Sequence, residues 1–130
     1  MQFDEYINSL AEEAKQDLGA AEALAAAGYH AHALFFSHLV LEKLGKALWI
    51  KRKNSKDYPY VHNLLRLLKD ASIELTDQRV QFYSDMNLFQ AKGRYPDTLR
   101  AIEGTITKEV YVGYRGTLSK EIEWLMHQLQ

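Results

Sequence analysis

The sequence predicts an all-α protein, a five-helix up-and-down antiparallel bundle, and three observations support this prediction. Only two prolines and seven glycines interrupt the 130 residues. Apolar residues recur at alternating steps of about three and four residues through nearly the whole chain, which is the period of an amphipathic helix. The segments that separate these runs are mostly short or polar, so neighbouring helices should run antiparallel.

The first two helices are predicted over residues 3–27 and 29–53. Gly28 stands between them, where a glycine commonly ends a helix. Each helix carries one charged residue within its apolar stripe, Asp17 in the first and Lys43 in the second. Because the turn is only one or two residues long, the helices should pack antiparallel and bring Asp17 and Lys43 near one another.

Three further helices follow a polar loop. The third, over residues 61–71, is short and crowded with leucines. The fourth, over residues 77–91, starts after Thr76, a residue type that favours the N-cap position. The fifth runs from residue 107 to the C-terminus and places its tyrosines, leucines and Ile122 on one side. The length suits one domain, and we see no repeat or low-complexity tract, so we expect residues 1–130 to form a single domain.

Composition excludes several classes of function. The chain has no cysteine, which rules out disulfides, zinc–thiolate sites and thiol nucleophiles. Sixteen basic residues against 17 acidic ones give a net charge of −1, so no overall field gathers nucleic acid. The N-terminus has no signal-peptide pattern, and no segment approaches the roughly 20 apolar residues of a membrane span. We therefore expect a cytoplasmic protein that does not enter a membrane.

Charged residues in the second helix are the main candidates for function. Glu42, Lys43 and Lys46 lie among large apolar residues, where a charge is costly unless it is paired or used. His38, Glu42 and Lys46 are spaced four residues apart and share one ridge. Two structural alternatives remain open: the ridge is a solvated row of ion pairs, and Asp17 with Lys43 is a buried pair that fixes helix register.

The functional hypothesis places these residues in a polar cleft between helices. Lys46 and Arg94 would contact a phosphate, and Glu42 or Asp17 would contact a ribose or the edge of a base. Arginine's planar guanidinium suits a phosphate. His62, at the predicted start of the third helix, is more often a cap or a core-edge residue than an acid or base.

The longest irregular segment, residues 94–104, opens with Arg94-Tyr95-Pro96-Asp97. Pro96 keeps Tyr95 out of helical geometry, and loops of this length often carry function. Tyr95 would stack on a base or close the cleft, with packing of its ring in the core as an equal alternative. For Arg94, a salt bridge to Asp97 that locks the loop is as good an explanation as a ligand contact.

The order of these features resembles the HEPN domain family, whose name abbreviates higher eukaryotes and prokaryotes nucleotide-binding. Four stretches carry the resemblance: Ala14-Lys15-Gln16-Asp17-Leu18, then Ala33 to His38 leading into Glu42-Lys43-Leu44-Gly45-Lys46-Ala47-Leu48, then His62-Asn63-Leu64, and finally Arg94-Tyr95-Pro96-Asp97. The resemblance spans essentially the whole chain. Three positions depart from the family's usual residues: Leu39, Gly45 and Asn63.

The resemblance implies a five-helix bundle like the nucleotidyltransferase substrate-binding proteins. It also implies a homodimer, a nucleotide or RNA ligand, and a nucleotidyltransferase partner encoded alongside as a toxin–antitoxin-like pair. The residues expected to bind the ligand are Asp17, His38, Glu42, Lys43, Lys46, His62, Arg94 and Tyr95.

Catalysis is not expected. HEPN ribonucleases carry an arginine followed four to six residues later by a histidine, and none of this chain's histidines stands in that relation to an arginine. Neither a Glu-x-x-His pair nor a glycine-rich phosphate loop occurs, so we expect no metal and no cofactor. The prediction is a binding protein. The alternatives are a ribonuclease toxin that uses Arg94, His62 or His127, and a plain homodimeric interaction module.

Overall fold

The computed structural model describes residues 2–59, 61–91 and 104–130, with residues 90 and 91 described by their backbone only. Five α-helices and one 3₁₀ helix make up the described part, and no strand occurs in it, so the all-α prediction is confirmed. The elements are α1 (Asp4–Ala26), α2 (His30–Lys53), α3 (Leu64–Asp70), α4 (Asp77–Met86), the 3₁₀ helix Asn87–Ala91 and α5 (Lys108–Gln128).

The α1–α2 hairpin has the predicted form. Gly28 adopts a left-handed conformation with φ of 92°, which costs glycine no steric strain. The Tyr29 amide then donates to the Leu24 carbonyl at 2.8 Å, a bond typical of a helix that ends at a glycine. The chain reverses within this turn, and α1 packs along α2.

Helix α2 is the central element of the bundle. It packs against α1, α3 and α5, and residues such as Leu34, Leu44 and Leu48 are completely buried. A helix that is apolar around most of its circumference is expected to be enclosed in this way. Its buried polar residues, Ser37, His38 and Glu42, therefore lie inside the protein rather than on a solvated ridge.

Helix α3 starts later than predicted, at Leu64 instead of residue 61. Asn63 is its N-cap, because the Asn63 Oδ1 atom accepts from the Arg66 amide at 3.2 Å. Asn87, the first residue of the 3₁₀ helix, stabilises the same turn: its Oδ1 accepts from the Leu64 amide at 2.9 Å, and its Nδ2 donates to Asn63 at 3.0 Å. His62 therefore lies in the α2–α3 connector and not in α3.

Gly45 explains how α3 approaches α2 so closely. A Cβ atom at this position would lie 2.8 Å from the Leu67 Cδ2 atom, well inside van der Waals contact. Leu67 is buried, so it has little room to move away. The missing side chain at this departure from the family pattern therefore makes room for α3.

Outside the α3 start, the predicted boundaries of the helices differ little from those observed. The fourth helix is α-helical only to Met86 and continues to Ala91 as a 3₁₀ helix. The irregular segment after Gly93 lies outside the described residues up to residue 103. None of the described helices combines the length and the apolar character needed to cross a membrane.

Candidate functional site

A buried carboxylate organises the candidate site, which we call the connector site: Glu42 and Lys46 of α2 with Tyr58 and His62 of the α2–α3 connector. The Glu42 side chain is 6% exposed, and its carboxylate accepts from His62 Nδ1 at 2.7 Å. Its other oxygen accepts from Lys46 Nζ at 3.5 Å. Two hydrogen-bonded partners offset the cost of burying the charge.

His38 of α2 binds the backbone of the connector from inside the bundle. Its ring is almost fully buried, and its Nε2 lies 3.0 Å from the backbone carbonyl oxygen of His62. A carbonyl oxygen only accepts, so Nε2 carries the proton in this contact. Burial lowers the pKa of His38 below its ordinary 6.5, an effect larger than the opposing attraction of the Glu42 carboxylate. The buried His38 ring therefore fixes the backbone that carries the His62 ring.

Lys46 and His62 bring the site to the surface. The Lys46 side chain is 19% exposed and that of His62 is 41% exposed. Lys46 Nζ also lies 5.2 Å from the centre of the Tyr58 ring, a cation–π distance. The acid is thus buried while the groups that donate to it keep contact with solvent.

Asp17 and Lys43 form a separate pair between α1 and α2. Their charged atoms lie 2.7 Å apart, so the predicted approach of these two residues is confirmed. Glu13 adds a longer contact to Lys43 at 3.7 Å. No hydrogen bond or ion pair among the described residues links this pair to Glu42 or Lys46. Among the described residues, the predicted site residues therefore lie in two groups, Asp17 with Lys43 and His38 with Glu42, Lys46 and His62.

Arg94 and Tyr95, with Pro96 and Asp97, lie outside the described residues. Their contacts with a phosphate or a base stay predictions. No group of three or more histidine and acidic residues that could hold a metal ion occurs in residues 2–59, 61–91 and 104–130.

A second buried polar cluster was not predicted. Glu121 of α5 is buried and accepts from Arg79 Nε at 2.9 Å and from the Tyr83 hydroxyl at 2.9 Å. The Arg79 guanidinium lies 3.7 Å from the centre of the Trp124 ring. Burial, followed by the Glu121 charge, raises the pKa of Tyr83. One signal was available in the sequence: Glu121 stands between Leu118 and residues 122 and 125 on the inner face of the last helix.

Stability should fall as the pH drops below about 6.5, the pKa of an unperturbed histidine. Because the folded state lowers the pKa of His38, the unfolded state binds more protons as the pH falls through this range, and the slope from this group is at most about 1.4 kcal/mol per pH unit. The charged and titratable groups that act on His38 are Glu42, Lys46 and His62. Urea unfolding at pH 7.5 and 5.5 measures the loss.

His38→Gln should reduce this pH dependence, because an amide retains a donor for the His62 carbonyl but does not titrate. His127→Gln is the control, since His127 is an exposed histidine at the other end of the chain. Equal pH dependence in the wild type and in His38→Gln would contradict the assignment.

The fold and the site together define a small helical-bundle domain in which a buried acid and a buried histidine, Glu42 and His38, support a partly exposed lysine and histidine, Lys46 and His62. The chain belongs to the HEPN domain family: the family model for the HEPN domain matches residues 7–111. The match runs from Ile7 of α1 through α4 to the first turn of α5, and it includes every predicted site residue. Comparison with curated proteins and with solved structures gave no significant match.

Proposed function

We propose that this protein is a non-catalytic HEPN domain that binds a nucleotide at the connector site. The observation that carries the proposal is the arrangement around Glu42, where a buried carboxylate positions the partly exposed Lys46 and His62. The Lys46 ammonium has three donor hydrogens, and its long contact with Glu42 occupies one of them. It therefore retains donors for a phosphate.

Glu42 acts in this proposal as a positioning residue. Its carboxylate is buried and already accepts from two side chains, so a ribose or base would meet Lys46 and His62 first. Side chains that are fixed before binding lose less conformational entropy when the ligand arrives, which favours affinity. Arg94 and Tyr95 remain predicted members of the same site.

The absence of catalysis is also part of the proposal. Cleavage of RNA by general acid–base chemistry needs a proton-transfer group held near the scissile phosphate. His62 is tied to Glu42, and the sequence has no arginine with a histidine four to six residues later. The ribonuclease alternative predicts that purified protein cleaves RNA and that Arg94→Ala abolishes the cleavage.

The partner assignments rest on family membership. We propose a homodimer in the cytoplasm that acts with a nucleotidyltransferase in a toxin–antitoxin-like pair. The same membership supports a nucleotide or RNA as the ligand. A neighbouring reading frame that encodes a small nucleotidyltransferase would strengthen the partner assignment, and co-purification of the two proteins would test it.

ATP at millimolar concentration should raise the melting temperature of the protein. A ligand that binds only the native state at about ten times its Kd adds about 1.4 kcal/mol of stability. For a domain of this size, that corresponds to about 4–6 °C. Differential scanning fluorimetry with and without ATP measures the shift.

Lys46→Ala should remove most of the ATP-dependent shift, because it deletes the proposed phosphate donor. Lys43→Ala is the matched control. Lys43 is also a half-buried lysine of α2 with an acidic partner, but that partner is Asp17, and the pair lies outside the connector site. An unchanged melting temperature of the wild type, or equal shifts in the two variants, would contradict the proposal.

A further inference from the structure

Two tyrosines and two lysines form a row of contacts that leads from the connector site to the start of α1. We call them the tyrosine–lysine ladder: Lys46, Tyr58, Tyr6 and Lys56. Lys46 Nζ lies 5.2 Å from the centre of the Tyr58 ring, and the hydroxyls of Tyr58 and Tyr6 are 3.4 Å apart. Lys56 Nζ then lies 4.7 Å from the centre of the Tyr6 ring. Residues from α1, α2 and the connector thus form one continuous row of contacts.

The far end of the ladder opens into a cavity. Tyr6 and Lys56 line it together with Phe3, Asp4 and Glu5, and its volume is about 580 Å³. This volume lies within the range of about 300–1,000 Å³ that is typical of small-molecule sites. Tyr6 keeps 37% of its surface exposed there, so an aromatic ring is available to a ligand.

The charges differ between the two ends. Lys46, at the connector site, favours a phosphate, whereas the cavity is lined by two acids, Asp4 and Glu5, and one base, Lys56, so its net negative charge repels one. Carboxylates do accept hydrogen bonds from ribose hydroxyls and from the exocyclic amines of bases. The cavity end is therefore suited to the neutral part of a nucleotide.

We propose that Tyr58 and Tyr6 form the base-binding half of the nucleotide site, with the phosphates on Lys46. The inference rests on the proposed function and adds Tyr6 and Tyr58, which are not among the residues predicted to bind the ligand. Bases stack on aromatic side chains with little preference among them, because every base has a π-face. The site should accordingly distinguish a nucleoside triphosphate from inorganic triphosphate, but ATP from CTP only weakly.

Isothermal titration calorimetry with ATP and with inorganic triphosphate tests this inference. The wild type should bind ATP about 5- to 150-fold more tightly than triphosphate, the range expected for stacking of one base. Tyr58→Leu should lose most of this ratio, because it removes the ring on which the base stacks and so lowers the affinity for ATP more than the affinity for triphosphate. Tyr58→Phe should retain the ratio, because the ring and not the hydroxyl stacks.

Tyr6→Leu provides a second variant at a more exposed position, and Tyr29→Leu is the control, since Tyr29 is 57% exposed at the opposite end of α2. If ATP and triphosphate bind the wild type equally, or Tyr58→Leu and Tyr6→Leu keep the wild-type ratio, the ladder only ties the connector to α1 and the inference is overturned. If neither ligand binds the wild type, the proposed function itself fails.

Discussion

Glu121→Ala should destabilise the protein by about 3 kcal/mol, a large part of the stability of an ordinary domain. The substitution removes the only charge partner that the structure gives to Arg79 among the described residues. It also removes the acceptor of the Tyr83 hydroxyl, which is completely buried. Breaking a buried pair costs about 3–5 kcal/mol, and the low end applies because Arg79 keeps 27% of its side chain exposed.

Urea unfolding of the wild type and the variant measures this difference. Glu123→Ala is the matched control, since Glu123 is an exposed acid in the same helix. Its removal should change stability by less than about 0.5 kcal/mol. The double variant Arg79→Met with Glu121→Leu should recover part of the loss, because apolar residues can replace a buried ion pair at little cost. A loss below about 1 kcal/mol for Glu121→Ala would show that the pair is not buried in solution.

The residues that could be predicted from the sequence are those in regular helices joined by a short turn. Asp17 and Lys43 each interrupt an apolar stripe, and Gly28 sets the turn that brings the two stripes together. Helical periodicity and turn length are both local properties, so they are visible in one sequence. Helical periodicity also predicted the five helices.

The contacts that could not be predicted depend on irregular backbone. Glu42 and His62 are 20 residues apart, and the connector between them has no periodicity that fixes its path. The start of α3 was placed too early because residues 61 and 62 look compatible with a helix, whereas Asn63 and Asn87 set the boundary across two elements. The contact between Tyr6 and Tyr58 also depends on the path of the connector, and no local spacing in the sequence predicts it.

A substitution at Glu42 should distinguish the nucleotide-binding proposal from the plain interaction module, because the two differ in its effect on binding. Glu42→Ala is expected to destabilise the protein by about 2–3 kcal/mol, because it leaves Lys46 and the His62 ring without their shared acceptor. The binding proposal adds a second effect. ATP affinity should fall about tenfold, since two donors lose their fixed positions.

The two effects can be measured on the same samples. Urea unfolding gives the free energy of unfolding, and calorimetry at a temperature where the variant is still folded gives the Kd for ATP. Glu13→Ala is the control, because Glu13 is a half-exposed acid that contacts Lys43 and not Lys46. If Glu42→Ala loses stability but binds ATP as tightly as the wild type or more tightly, the carboxylate only holds the fold. That result would favour a plain interaction module, because the buried acid would then position nothing that a nucleotide contacts.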